Sequence, residues 1–289
     1  MNAVAFGPAA GTPVSRATAL RRAVRYHWCH LAALRSTWIL LGVVAAFGLL
    51  AGAGTPLEVG DGEAPDVWAV VTGIQLDAVA LQLPLSALLL LPLATGPVAT
   101  EFGRGAARTT WLTLADRRTA YQAKLLLGAA IGAVTALGGA LLTGLTGMVA
   151  LAVGGYGQPD WGRVVPGVLG YVLFMACWPV IATATAVLVR NRVATALLLV
   201  LWPLIGERLA GLLLRLVPGL GGATDWLPFA AGRAALAAGS HHQSEDGRAM
   251  TDALVGSDLS PAAGAAVLLA FTAVTAYAGL RAYRARDGG

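Results

Sequence analysis

Apolar and polar residues fall in long blocks along this chain rather than alternating every second position. A membrane-crossing helix needs about 20 consecutive apolar residues. Six blocks fit that requirement, and they predict transmembrane helices at 37–54, 76–99, 125–154, 164–189, 193–216 and 259–281. The second block is charge-free from Ala78 to Thr100, and the third from Leu125 to Pro159, with an end expected near Gly154-Gly155. The fifth has the shortest charge-free stretch, because Glu207-Arg208 interrupts it after 14 residues. The predicted fold is all-α, a polytopic membrane protein with six transmembrane helices in a single domain spanning 1–289. No stretch outside the helices is long enough for an independent soluble core.

Two further segments carry helical patterns. Between Ala19 and Ser36, Leu20, Val24, Trp28, Leu31 and Leu34 recur at steps of three and four, while Arg21, Arg22 and Arg25 lie largely off that stripe. This predicts an amphipathic helix lying in the membrane interface, within an arm that covers 1–36. The segment 217–258 mixes apolar and polar residues, with breaks at Pro218 and Pro228. Short helices dipping into the outer interface are expected there, with Ser240 to Asp246 as the exposed tip.

Composition supports the same class. Of 289 residues, 57% are hydrophobic and 12% charged, about half the charge of a soluble domain. A soluble or disordered chain is excluded. The net charge of +5 and pI near 9.7 point toward nucleic acid only until the charges are placed. With the N-terminus inside and six crossings, fifteen of the twenty basic residues fall on the inner side with three acids. The other five basic residues fall outside with twelve acids. The positive-inside rule favours that orientation, with both termini cytoplasmic in a bacterial plasma membrane. The basic residues then serve topology and lipid headgroups, and no nucleic-acid partner is expected. About 37 residues precede the first apolar run, too many for a usual signal-peptide leader, so an uncleaved first helix is expected. Cys29 and Cys177 cannot form a disulfide framework.

Catalytic chemistry is sparse. The only lysine, Lys124, follows Gln122-Ala123 rather than a glycine-rich turn. The chain therefore has no phosphate-binding loop and no nucleotide site of its own. His27 and His30 could share a helix face as metal ligands, but no carboxylate lies near them in sequence, and a structural role is the simpler reading. His241-His242 falls in a polar loop. No convergent cluster at one face suggests a membrane enzyme. No catalytic, metal or cofactor-binding residue is assigned.

The informative loop is 100–124, rich in arginine, threonine and glycine and carrying an apolar tip at Trp111-Leu112. Arginines around an apolar tip make a docking element for a soluble partner; the plain alternative is a charged loop serving topology alone. Glu101, Phe102, Gly105, Arg108, Thr110, Arg117, Arg118, Ala123 and Lys124 together resemble the coupling loop of the membrane subunit of type-2 ATP-binding-cassette (ABC) exporters. Gly103, Ala106 and Asp116 depart from that family's pattern. Leu34-Arg35-Ser36-Thr37-Trp38 and Trp226-Leu227-Pro228-Phe229 are similar to the start of the family's first helix and to its outer segment before the sixth.

The resemblance implies a permease that couples ATP hydrolysis in a separate subunit to export of an amphipathic drug, peptide or lipid. Glu101, Phe102, Gly105, Arg108, Thr110, Trp111, Arg117 and Arg118 would contact the ATPase. The implied partners are two copies of an ABC ATPase, which use ATP and magnesium, a second permease copy or a related permease, and membrane lipid. Asp77, Gln82, Glu207 and Arg208 are the candidate substrate path or outer gate. An ion-coupled transporter or channel without an ATPase is the alternative, and it would need a carboxylate such as Asp77 deep in the membrane. A non-transporting anchor or immunity protein sharing the exporter fold also fits.

Overall fold

A computed structural model describes residues 15–59, 64–76, 78–79, 81–103, 116–239 and 245–285. Among them every regular element is helical. Five helical segments are long and apolar enough to cross a membrane: Arg35–Leu57, Arg117–Gly154, Trp161–Val189, Arg192–Leu216 and Pro261–Arg284. These overlap the first, third, fourth, fifth and sixth expected spans.

Local chemistry sets the helix ends. Helix α1 (Arg16–Ala32) starts at Ser15, whose hydroxyl accepts from the Thr18 amide. A short break joins it to α2 (Arg35–Gly54), and the Thr37 hydroxyl pins the junction by donating to the Leu31 carbonyl at 2.7 Å. The buried line on α1 is Ala23, His27 and Leu31, while Trp28 and Leu34 are exposed. The apolar stripe expected from sequence is thus displaced by a fraction of a turn. Asp66 caps α3 (Val67–Ile74), and α4 (Leu85–Gly103) follows with Pro92 and Pro97 inside it. Asp116 caps α5 (Arg117–Gly154), and Gly155 ends it at φ 74°. Asp160 caps α6 (Trp161–Val189).

Asn191 caps α7 (Arg192–Leu201), which continues through a π turn (Trp202–Gly206) into α8 (Glu207–Leu216). A π turn is a frequent cause of a local helix irregularity, and this one begins at the Trp202-Pro203 pair. A 3₁₀ turn (Gly221–Trp226), α9 (Pro228–Leu236) and α10 (Glu245–Val255) lead to α11 (Pro261–Arg284), capped by Ser260.

The second expected span differs from its prediction. A continuous helix over 76–99 is expected, but α4 begins only at Leu85. Before it the backbone unwinds, with Leu76 at φ 51° and Gln82 at φ 64°. Such left-handed residues cost about 1–3 kcal/mol each and persist only where surroundings hold them. Here Gln75 and Gln82 do the holding. The Gln75 amide donates to the carbonyls of Gly167 and Leu236, at 3.1 and 2.9 Å, and the Gln82 amide to that of Val79 at 2.8 Å. Pro84 also disfavours helix at the residue before it.

Helix α6 is the hub. It packs against α5, α4, α9 and α11. Its Trp178 indole donates to the Ala87 carbonyl at 2.8 Å, and its Thr183 hydroxyl to that of Ala94 at 3.1 Å. Phe174, Trp178, Phe229 and Phe271 form an aromatic chain with centroids 5.9–6.4 Å apart. Elsewhere close approach depends on missing side chains. A Cβ at Gly132 of α5 would collide with the Met175 carbonyl, and one at Gly170 of α6 with the Ala235 carbonyl. The Gly128-to-Gly132 small-residue pattern is thus a genuine helix contact.

Candidate functional site

Two polar regions sit at opposite ends of α6. At the end where α5 begins, α1, α5 and α11 are joined. Ala23 of α1 packs on Ala120 and Ala123 of α5. The Arg117 guanidinium donates to the Arg284 carbonyl at 3.1 Å, and the Tyr121 hydroxyl to that of Ala276 at 3.2 Å. Buried Lys124 donates to the Tyr283 hydroxyl at 3.2 Å and lies 5.1 Å from the centre of that ring. A cleft of about 470 Å³ opens beside this junction, lined by Arg16, Leu20, Asp116, Arg117, Arg118 and Arg284. Helix α5 has 38 residues, about 57 Å at 1.5 Å each. That exceeds the roughly 30 Å thickness of a bilayer's hydrocarbon core.

Of the loop residues expected to meet an ATPase, Arg117 and Arg118 line this cleft. Glu101 and Phe102 fall in the last turn of α4, and their side chains are not described. Gly105, Arg108, Thr110 and Trp111 lie outside the described residues. His27 is buried beside Lys124, and its Nε2 has no hydrogen-bond partner. Burial first, then the Lys124 charge, lowers the imidazole to about 3, so it is neutral at physiological pH. Among the described residues no group of three or more His, Cys, Asp or Glu side chains could hold a metal.

At the other end, α8, α9 and α10 surround a cavity of about 210 Å³. Helix α9 is buried from Phe229 to Leu236. A buried helix start must have its free amides satisfied. Glu207 of α8 does this with both carboxylate oxygens, accepting from the Phe229 and Ala230 amides at 2.8 Å each. Its neighbour Arg208 instead donates to the Gln82 side-chain carbonyl at 3.2 Å. The two adjacent charges therefore serve different segments, and the Arg208 bond brings Gln82 and Arg208 together. Asp77 lies outside the described residues.

Sequence reasoning missed Arg233. It is 2% exposed, its Nε donates to the Val255 carbonyl at 3.0 Å, and its Nη1 has no partner. Burial lowers this guanidinium to about 10, opposed by nearby Glu207 and reinforced by Arg208. It remains a cation at neutral pH. The available signal was a lone arginine in the alanine-rich stretch between Phe229 and Gly239, a costly residue to bury without function.

The chain was compared with family models, curated proteins and solved structures, and none matches.

Proposed function

We propose that this chain is the permease subunit of a type-2 ABC exporter, driven by a separate ATPase. The supporting observation is the arginine-lined cleft beside α1, α5 and α11. Its lining includes Asp116, Arg117 and Arg118, from the 100–124 segment, and three helices meet at its walls through buried contacts. A push on that segment would reach α1 through Ala23 and Ala120, and α11 through Arg117, Lys124 and Tyr283. Rigid-body movement of packed helices is a general route by which a partner drives a two-state transition.

In this reading six segments cross the membrane. The second crossing is discontinuous, made by α3, a connection with left-handed backbone at Leu76 and Gln82, and α4. Irregular backbone at membrane depth is tolerated where protein buries it or where it lines a cavity, and broken helices mark substrate sites in many transporters. Helix α9 is the re-entrant element on the outer side, α1 lies in the inner interface, and both termini are cytoplasmic. The substrate class is amphipathic, and the membrane unit is a pair of such subunits.

The test is affinity purification from the native membrane, followed by mass spectrometry of stoichiometric partners. The expected result is a soluble ATPase bearing a phosphate-binding loop, lost when Glu101 and Arg108 are replaced by alanine. An intact complex or monomer recovered repeatedly without any ATPase rejects the reading.

A further inference from the structure

Arg233 is the starting point. A buried guanidinium is ordinarily paired or fully hydrogen-bonded, because an unmade bond to a buried charge is costly. Its Nη1 is nevertheless unpartnered, and the residue lines the α8–α9–α10 cavity. Glu207 is close by, but both its oxygens already accept backbone amides. Arg208 and Arg215, seven residues apart on one face of α8, line the same cavity. None of the three arginines takes part in an ion pair among the described residues.

Three guanidiniums therefore belong to one half-open cavity, Arg233 buried and Arg208 and Arg215 exposed, with Glu207 as the one carboxylate among its described lining residues. Their planar forks suit oxyanions, and each can donate two parallel bonds. Convergence from two helices favours a tetrahedral group with at least three acceptor oxygens over a planar carboxylate. At about 30 Å³ per water, the cavity holds roughly seven waters' volume. Exposed Leu212 of α8 is part of its lining, an apolar rim that suits a lipid chain.

We propose that this cavity binds a phosphate-class oxyanion, either free or carried on a lipid headgroup, with Arg233 as its buried anchor. The site is independent of any ATPase partner, which would act at the opposite end of α6.

The purified full-length chain in neutral detergent is titrated with inorganic phosphate and, separately, with short-chain phosphatidylglycerol. Chloride at matched ionic strength is the reference. Calorimetry and native mass spectrometry read binding. Saturable binding is expected in the wild type, weakened tenfold or more in Arg233→Gln or Arg215→Gln. It should be unchanged in Arg163→Gln, which removes an exposed arginine that pairs with Asp160 at the start of α6. Binding of inorganic phosphate identifies a free-anion site. Binding of phosphatidylglycerol alone identifies a headgroup site. If Arg233→Gln does not fold, exposed Arg215 decides alone. The proposal is overturned if neither probe binds the folded wild type, if no folded cavity variant loses affinity, or if Arg163→Gln loses as much as they do.

Discussion

Gly132 of α5 lies against the main-chain carbonyl of Met175 on α6, four residues before Pro179. Proline has no amide hydrogen, so the Met175 carbonyl lacks its usual partner within α6. The absence of a side chain at position 132 lets α5 close on that exposed oxygen. A Cβ there has no room. Gly132→Ala should lower stability by about 1–3 kcal/mol, the usual range for overpacking. Gly138→Ala, where nothing lies within 4 Å, should be neutral or gain up to about 1 kcal/mol from helix propensity. Unfolding titrations in mixed micelles distinguish the two, and equal losses would show that this contact is not specific.

Glu207 is predicted to act as a remote helix cap. Glu207→Ala strips two buried amides of their acceptor and should cost about 2–4 kcal/mol. Glu207→Gln keeps one acceptor oxygen and should fall between. If the two variants match the wild type in thermal stability, the first turn of α9 does not depend on this carboxylate.

His27 gives a pH dependence with a defined sign. Its folded value is about 3, below its ordinary 6.5. The unfolded chain therefore takes up the proton first as pH falls. Its contribution to stability is complete above about pH 6.5 and is lost progressively toward pH 3, at a slope of up to about 1.4 kcal/mol per pH unit. His27→Leu should flatten that part of the profile. Melting curves at pH 7.5, 6 and 5 check it, and an unchanged slope in the variant assigns the acid sensitivity elsewhere.

Cys29 is exposed on α1, whereas Cys177 is buried within α6. If α1 lies on the cytoplasmic face, a membrane-impermeant maleimide should modify Cys29 in inside-out vesicles and leave intact cells unlabelled. Labelling of intact cells would reverse the assigned orientation.

Five of the six apolar blocks correspond to long helices because uninterrupted apolar sequence has few other ways to satisfy its backbone. The break before Leu85 was not legible in the same way. Hydropathy registers what Gln75 to Pro84 is made of, not that Leu76 and Gln82 adopt left-handed backbone. The bonds that hold the break run to Gly167 and Leu236, distant in sequence. The same distance hid the roles at the α9 end. Glu207 and Arg208 were visible as an adjacent charged pair, and only their partners 22 residues later and 126 residues earlier give them separate duties. Arg233 escaped notice because its significance depends on a bond it does not make. On the opposite side, Arg117 and Arg118 stand out in the sequence through the family resemblance, and the structure adds that they line a cleft, while Tyr283, an unremarkable tyrosine near the end of α11, acquires meaning only beside Lys124.

The wide turn at Trp202–Gly206 keeps two rhythms in step. Thr195, Leu199, Pro203 and Glu207 are all buried, at intervals of four. A straight α-helix turns about 100° per residue, so a four-residue interval drifts by about 40° and three intervals by about 120°. Left uncorrected, that drift would carry Glu207 around the helix and away from α9. The turn closes instead through the Glu207 amide and the Trp202 carbonyl, five residues apart, which winds more slowly and cancels much of the drift. Helix α7–α8 thus contains a phase corrector. A residue deleted there would shorten the rod by only about 1.5 Å, yet it would swing a carboxylate from a protein interior toward the exposed leucine face of α8.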